Sequence, residues 1–205
     1  MINSAKNLSQ NAKLHEVGIQ FAHWNNPWPN GQGRWSFREQ YKVGDLTSIK
    51  PKFDVRLELY DDTNSPNTIL PTTYLTADLR LEWHKNNILV RRDLLGVIFS
   101  NPNNYDMNNN STDAVFWQDI QPANPRIFLH GSMLNLGIPN LQTISTTNYT
   151  TIEFDYMPLI MQYLPGPPEG CTYDDAVIVG LDIYSSTRCA DVVFSVKNIY
   201  LHGTN

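Results

Sequence analysis

The chain has 205 residues, a formal net charge of −5, two cysteines and five tryptophans. That charge argues against a nucleic-acid partner, which needs a basic face to displace counterions, and no apolar run approaches the roughly 18 residues of a membrane-spanning helix. A chain of this length routinely forms one all-β domain and can bury about 70% of its unfolded surface without a metal or disulfide.

Residues 1–14 are polar and read as an N-terminal arm, leaving 15–205 as a single β-sandwich domain. Met1 to Lys6 lacks the apolar stretch of a signal peptide. The protein is therefore intracellular, or exported by another route, or begins here after a removed signal; an extracellular or surface location is favoured. Residues 17–22 form a short first strand. Residues 23–35 crowd Trp24, Trp28 and Trp35 among Asn, Pro and Gly, which predicts a turn-rich connection and not a regular element. Residues 35–38 resume strand character.

Two near-identical stretches follow, 53–60 and 77–84. Each alternates apolar and polar residues, the period-two pattern of a strand with one buried face. Phe53, Val55, Leu57, Leu79, Leu81 and Trp83 then point to the core. Asp54, Arg56 and Glu58 are expected to share an outer sheet face with Asp78, Arg80 and Glu82, as paired antiparallel strands. Residues 88–90 and 94–99 read as a hairpin turning at Arg91-Arg92-Asp93. Residues 101–113 form an Asn-rich loop, and Asn109, Asn110 and Asn148 each open an N-x-Ser/Thr acceptor pattern. Residues 115–117, 126–130 and 150–154 read as short strands.

Met157, Ile160, Met161 and Leu164 make a single apolar stripe, so one short helix is predicted near 157–164, with Pro158 in its first turn and Pro165 ending it. Residues 176–183 are nearly continuously apolar and read as a central strand. Residues 192–201 form the last strand, with a slip of phase near Lys197-Asn198. Many short strands with one helix indicate an antiparallel β-sandwich, or jelly roll. Cys171 and Cys189 flank the 176–184 strand, whose roughly 25 Å length keeps their Cα atoms beyond the ~7 Å of a disulfide, so two free thiols are expected.

Sugars present an apolar C–H face and a rim of hydroxyls, and their sites pair flat rings with planar amides and carboxylates. Trp24, Asn26, Trp28, Asn30, Gln32 and Trp35 supply that chemistry in one segment, and Arg56, Glu58, Arg80 and Glu82 supply a polar floor. Trp28 lies between Pro27 and Pro29 and is the best candidate for an exposed ring, whereas Trp83 and Trp117 read as core.

A Trp-rich entry, Glu82-Trp83, a hairpin, the helix region and two closing strands come in an order that resembles the concanavalin-like jelly roll of glycoside hydrolase family 12. The resemblance implies a retaining endo-glycoside hydrolase acting on β-glucan. Glu82-Trp83 looks like its acidic-residue–Trp element, Asp93 stands where its nucleophile glutamate falls, and Asp182 stands where its acid/base glutamate falls. Both are aspartates, one methylene shorter than the family's pattern. Arg91 and Arg92 should favour an ionised Asp93, while burial could raise the pKa of Asp182.

Three functions are compatible with these residues: a lectin-like glycan binder; a hydrolase of this type with Glu58, Glu82, Asp93 or Asp182 as its carboxylates; and a self-assembling structural jelly roll. The expected partner is a glycan or polysaccharide, with self-association possible. No cofactor or metal is called for, and Asp61-Asp62 and Asp174-Asp175 read as turn residues more than calcium ligands.

Overall fold

A computed structural model describes residues 2–4, 15–21, 23–25, 34–36, 41–63, 72–99, 114–137, 144–188 and 190–205; for 2–36, 72 and 188 it describes the backbone path. The strands are β1 (Ile2–Ser4), β2 (His15–Phe21), β3 (His23–Asn25), β4 (Arg34–Ser36), β5 (Tyr41–Lys42), β6 (Ser48–Asp61), β7 (Thr72–Lys85), β8 (Ile88–Ile98), β9 (Val115–Asp119), β10 (Arg126–His130), β11 (Thr150–Glu153), β12 (Ala176–Arg188) and β13 (Asp191–Thr204). Among the described residues there is one α-helix, α1 (Tyr156–Tyr163), between β11 and β12.

The strands form an all-β sandwich. The smaller sheet runs β1-β13-β6-β11, the larger β2-β12-β7-β8-β10-β9 with β5 also on β12, and β3 and β4 pair with each other. All pairings are antiparallel among the described residues except β10 with β8, which is parallel. Ile2–Ser4, within the stretch expected to be a loose arm, pairs with Val192–Phe194 as an edge strand. The Trp-rich segment is more regular at its ends than expected, since Trp24 and Trp35 stand opposite each other on β3 and β4. No helix among the described residues is long and apolar enough to cross a membrane.

The alternation of the twin strands gives the expected core. Phe53, Val55 and Leu57 from β6 and Leu79, Leu81 and Trp83 from β7 are all buried. The expectation that they pair side by side is overturned: β6 belongs to the smaller sheet and β7 to the larger. Two one-sided strands can bury their apolar faces by meeting through the core as well as by lying together in one sheet. The Asp54/Arg56 row and the Asp78/Arg80/Glu82 row therefore lie on opposite outer surfaces.

Local chemistry sets the turns and registers. Residues 88–98 are one strand, and the chain reverses before it, at Asn86 (φ 52°) and Asn87 (φ 63°). Two successive positive φ values suit a two-residue hairpin turn, and Asn tolerates them better than most residues. The phase slip near Lys197-Asn198 is a β-bulge, with register breaking between Lys197 and Tyr200 and Asn198 at φ 51°. A second bulge, at Val179, lies between Ile178 (opposite Leu81) and Gly180 (opposite Arg80). It flips the face of β12, so that Ile178 and Leu181 both point inward while Asp182 points out.

Helix α1 is capped by Asp155, whose carboxylate accepts from the backbone N–H of Met157 at 2.9 Å and of Ile49 at 2.9 Å. Its buried side differs from the predicted stripe: Tyr156, Leu159 and Ile160 face the core, while Met161 is 50% exposed. The Tyr156 hydroxyl donates to the Ala77 carbonyl at 2.7 Å and docks the helix on β7. Cys171 is a free thiol at the core margin, and Cys189 lies outside the described residues. The acidic doublets are local acceptors: Asp61 takes bonds from Thr63, and Asp175 from Thr172.

Candidate functional site

The outer face of the larger sheet gathers the polar residues that sequence reasoning put on β7. Cross-strand register brings Asp182 of β12 opposite Asp78 of β7, and Glu82 of β7 opposite Arg92 of β8. Directly opposed residues in an antiparallel pair have Cβ atoms about 4.5–5.5 Å apart. The two aspartates are thus close neighbours. Both sit low in the surface, Asp78 at 2% and Asp182 at 6% exposure.

Each buried carboxylate of this face that carries a resolved ion pair is held by an exposed arginine. Arg80 Nη2 bonds Asp182 Oδ2, with 46% of the arginine side chain exposed. Arg92 Nε bonds Glu82 Oε1 at 3.2 Å, and His84 Nε2 lies 3.1 Å from Glu82 Oε2. The other oxygen of Asp182, Oδ1, is buried with no hydrogen-bond partner among the described residues. Burial lifts the Asp182 carboxyl above its ordinary range, against the pull of Arg80's charge and hydrogen bond.

Further along the same face, the Phe128 ring of β10 packs 5.6 Å from the Trp117 ring of β9. Trp117, read from sequence as core, is half-buried on the outer surface. Neither Phe128 nor Asp78 was among the site candidates of the sequence, although Asp78 was placed in the outer row with Arg80 and Glu82.

The remaining sequence candidates are dispersed. Arg56 and Glu58 lie on the smaller sheet, on the far side of the core, ion-paired to each other at 2.6 Å. They do not join Arg80 and Glu82 in one floor. Trp24 and Trp35 are placed by backbone alone, and Asn26, Trp28, Asn30 and Gln32 fall outside the described residues, as do Asn109 and Asn110. Asn148 lies in an exposed turn, its backbone N–H bonded to Ser145 Oγ at 3.1 Å.

Asp93 is on the other side of the sheet altogether. It stands opposite Leu81, on the core face, and takes Arg91 Nε at 2.7 Å, Arg91 Nη2 at 2.8 Å and Trp83 Nε1 at 2.7 Å. Burial raises its pKa, opposed by the bonds from Arg91 and Trp83 and by the arginine's charge. The neighbouring arginine was expected to dominate; desolvation outweighs it. Arg91 also donates to the Pro165 carbonyl at 3.0 Å, so this buried cluster ties β8 to the segment after α1.

No protein-family model matches the chain, and no curated protein does. Solved structures do. A meso-active, thermostable cellulase derived from the Cel12A cellulase of Rhodothermus marinus matches at 11% identity and TM-score 0.50, over 96% of this chain and 83% of that one. A family 12 xyloglucanase from Bacillus licheniformis matches at 9% identity and TM-score 0.48, over 98% and 80%. In fold, the chain resembles the family 12 glycoside hydrolases. Of the carboxylates that the family 12 resemblance offered, Asp182 and Glu82 lie on the outer face of the larger sheet, and Asp93 lies on its core side. The acid standing directly across from Asp182 is Asp78.

Proposed function

We propose that the protein binds a polysaccharide, of the β-glucan class that cellulases and xyloglucanases act on, along the outer face of the larger sheet. The observation that carries this is the Arg80–Asp182 pair: an exposed guanidinium anchored by a buried carboxylate. A charged donor held in place this way can meet sugar hydroxyls with little further loss of side-chain freedom, and hydrogen bonds to charged groups are the stronger ones. The Trp-rich segment 23–35 keeps its part in this proposal on its residue types alone, with Trp28 the most informative ring to test. Calorimetric titration with cello-oligosaccharides and xyloglucan fragments tests it. Arg80→Ala is expected to weaken binding by about 1–3 kcal/mol, the range for a hydrogen bond to a charged group. A wild-type protein that binds none of these sugars overturns the reading.

One observation favours a second reading, retaining hydrolysis: the direct opposition of Asp78 and Asp182 on adjacent strands. Retaining enzymes need two carboxyl groups about 5–5.5 Å apart, one of them an acid of raised pKa. In that reading Asp78 attacks the anomeric carbon while Asp182 protonates the departing oxygen; Asp182 then takes a proton from water as it cleaves the glycosyl ester. Their near-complete burial ranks this behind binding. A reducing-sugar assay on β-glucan separates the two: release abolished by both Asp78→Asn and Asp182→Asn establishes hydrolysis, and none from the wild type excludes it.

A further inference from the structure

The outer face of the larger sheet carries a cationic row wider than the Arg80–Asp182 pair. Register sets Arg80 of β7 opposite Leu94 of β8, and Leu94 opposite Arg126 of β10. Arg92 lies two residues before Leu94 on β8, and so on the same face. Leu81, Asp93 and Ile127, which follow the three arginines in the chain, are all buried on the core side. Three adjacent strands thus each turn one guanidinium to solvent: 46% of the Arg80 side chain and 56% of the Arg92 side chain are exposed, and Arg126 is exposed as well.

The compensating carboxylates lie beneath. Asp182 and Glu82 are nearly buried, so the cation of each pair is what a ligand meets first. Arg126 has no ion pair among the described residues. Its cross-strand neighbour Asp119 accepts instead from the Gln121 side-chain amide at 3.2 Å. Asp78 and Asp182 are buried and directly opposed, and two like charges so placed do not both ionise readily. Burial already holds the Asp182 carboxyl above its ordinary range. The net charge of −5 repels a polyanion at long range. Physiological salt screens that repulsion beyond about 8 Å, while ion pairs form within about 4 Å.

Arg80 and Arg126 flank β8, so their Cα atoms are about 10 Å apart at 4.7–4.9 Å per strand step. Arg80 leans toward β12, where it bonds Asp182, and Arg92 toward β7, where it bonds Glu82. The heads therefore spread along a row and do not close on one point. Such a row suits a chain of repeated negative charges better than one small anion. Guanidinium groups also match carboxylates through paired hydrogen bonds.

We propose that this row selects an acidic glycan, a β-linked chain whose uronate carboxylates meet Arg80, Arg92 and Arg126. The inference rests on the glycan-binding reading above and refines its ligand from a neutral β-glucan to one whose backbone carries carboxylates.

Calorimetry at low and physiological salt tests it with two ligands: cellohexaose, and a hexaglucuronate of the same linkage in which each hydroxymethyl group is a carboxylate. At low salt the wild type is expected to bind hexaglucuronate roughly tenfold more tightly, from three exposed ion pairs of modest strength. Most of that preference is lost at physiological salt. Arg126→Gln is expected to lower hexaglucuronate affinity by about two- to fivefold, Arg126→Glu by more, and Arg126→Lys is expected to keep most of it. Cellohexaose affinity stays at the wild-type value in all three, because Arg126 lies outside the Arg80–Asp182 pair. Wild-type binding of hexaglucuronate no tighter than of cellohexaose overturns the acidic ligand and leaves the glycan-binding reading standing. A preference that survives Arg126→Glu also overturns it, since the row is then not its source. Binding of hexaglucuronate alone supports the row and overturns the neutral ligand class. A wild type that binds neither sugar overturns both readings.

Discussion

Asp93 and Asp182 show how little a carboxylate's neighbours in sequence say about its role. Asp93 sits among Arg91 and Arg92 in the chain, yet parity along β8 sends it into the core, where Arg91 and the Trp83 indole enclose it. Removing one member of a buried ion pair leaves the other uncompensated. Asp93→Ala is expected to cost ~3–5 kcal/mol in urea unfolding; a loss below ~1 kcal/mol would show that Arg91 finds another partner. Asp182 offers a pH test. Its folded pKa lies above the ordinary 3.8 because burial penalises the charge. The native state then holds its proton more tightly than the unfolded chain, and stability from this group, full below pH 3.8, is lost as pH rises through the folded value. Asp182→Asn should therefore gain stability relative to the wild type between acid and neutral pH. A pH-independent difference in denaturation midpoints would contradict that sign.

Among the elements, the β12 bulge has the widest reach. Its run of Val177, Ile178, Val179 and Leu181 reads as unbroken apolarity, so the strand's existence and central place were legible. Its phase was not. A bulge is a one-residue excess over the partner strand, and a sequence read one strand at a time holds no count of its partner. Deleting Val179 removes that excess and leaves Ile178 inward, Gly180 outward, Leu181 inward and Asp182 outward in plain alternation, so both flanks keep their faces. The deletion variant is therefore expected to keep its cooperative melt. Loss of that melt would show that Val179 is not the one-residue excess. The hairpin at Asn86-Asn87 escaped sequence reading because the charged run Arg91-Arg92-Asp93 looked more like a turn than two asparagines did. The positive φ at Asn87 makes Asn87→Val an informative change: about 1–2 kcal/mol of destabilisation, the cost of a β-branched residue in the left-handed region. Equal stability would place the turn elsewhere.

For the molecule as a whole, the period-two pattern of β6 and β7 identified the core residues but not the sheets they belong to. Leu57 and Leu81 line opposite walls of one core. Each mutated to Ala is expected to cost ~2–5 kcal/mol, and a loss within ~0.5 kcal/mol at both sites would contradict that placement. The same limit governs the site. The residue types of the proposed glycan site were visible in sequence, but the opposition of Asp182 and Asp78 depends on which strands pair, a property of pairing and not of any segment.

That strand order also bears on how the protein is made. β12 lies between β2 and β7, and β13 between β1 and β6, so two strands made after all their neighbours are interior to both sheets. Until they emerge, the long flanks of β6 and β7 that they will cover stay unpaired, and such edges recruit other chains. Closure of both sheets therefore waits for residues 176–204 and is dominated by long-range pairing, in the millisecond-to-second range typical of such topologies. A nascent or proteolysed chain ending near residue 175 would lack the middle of both layers, which makes residues 176–204 the segment on which solubility during synthesis depends.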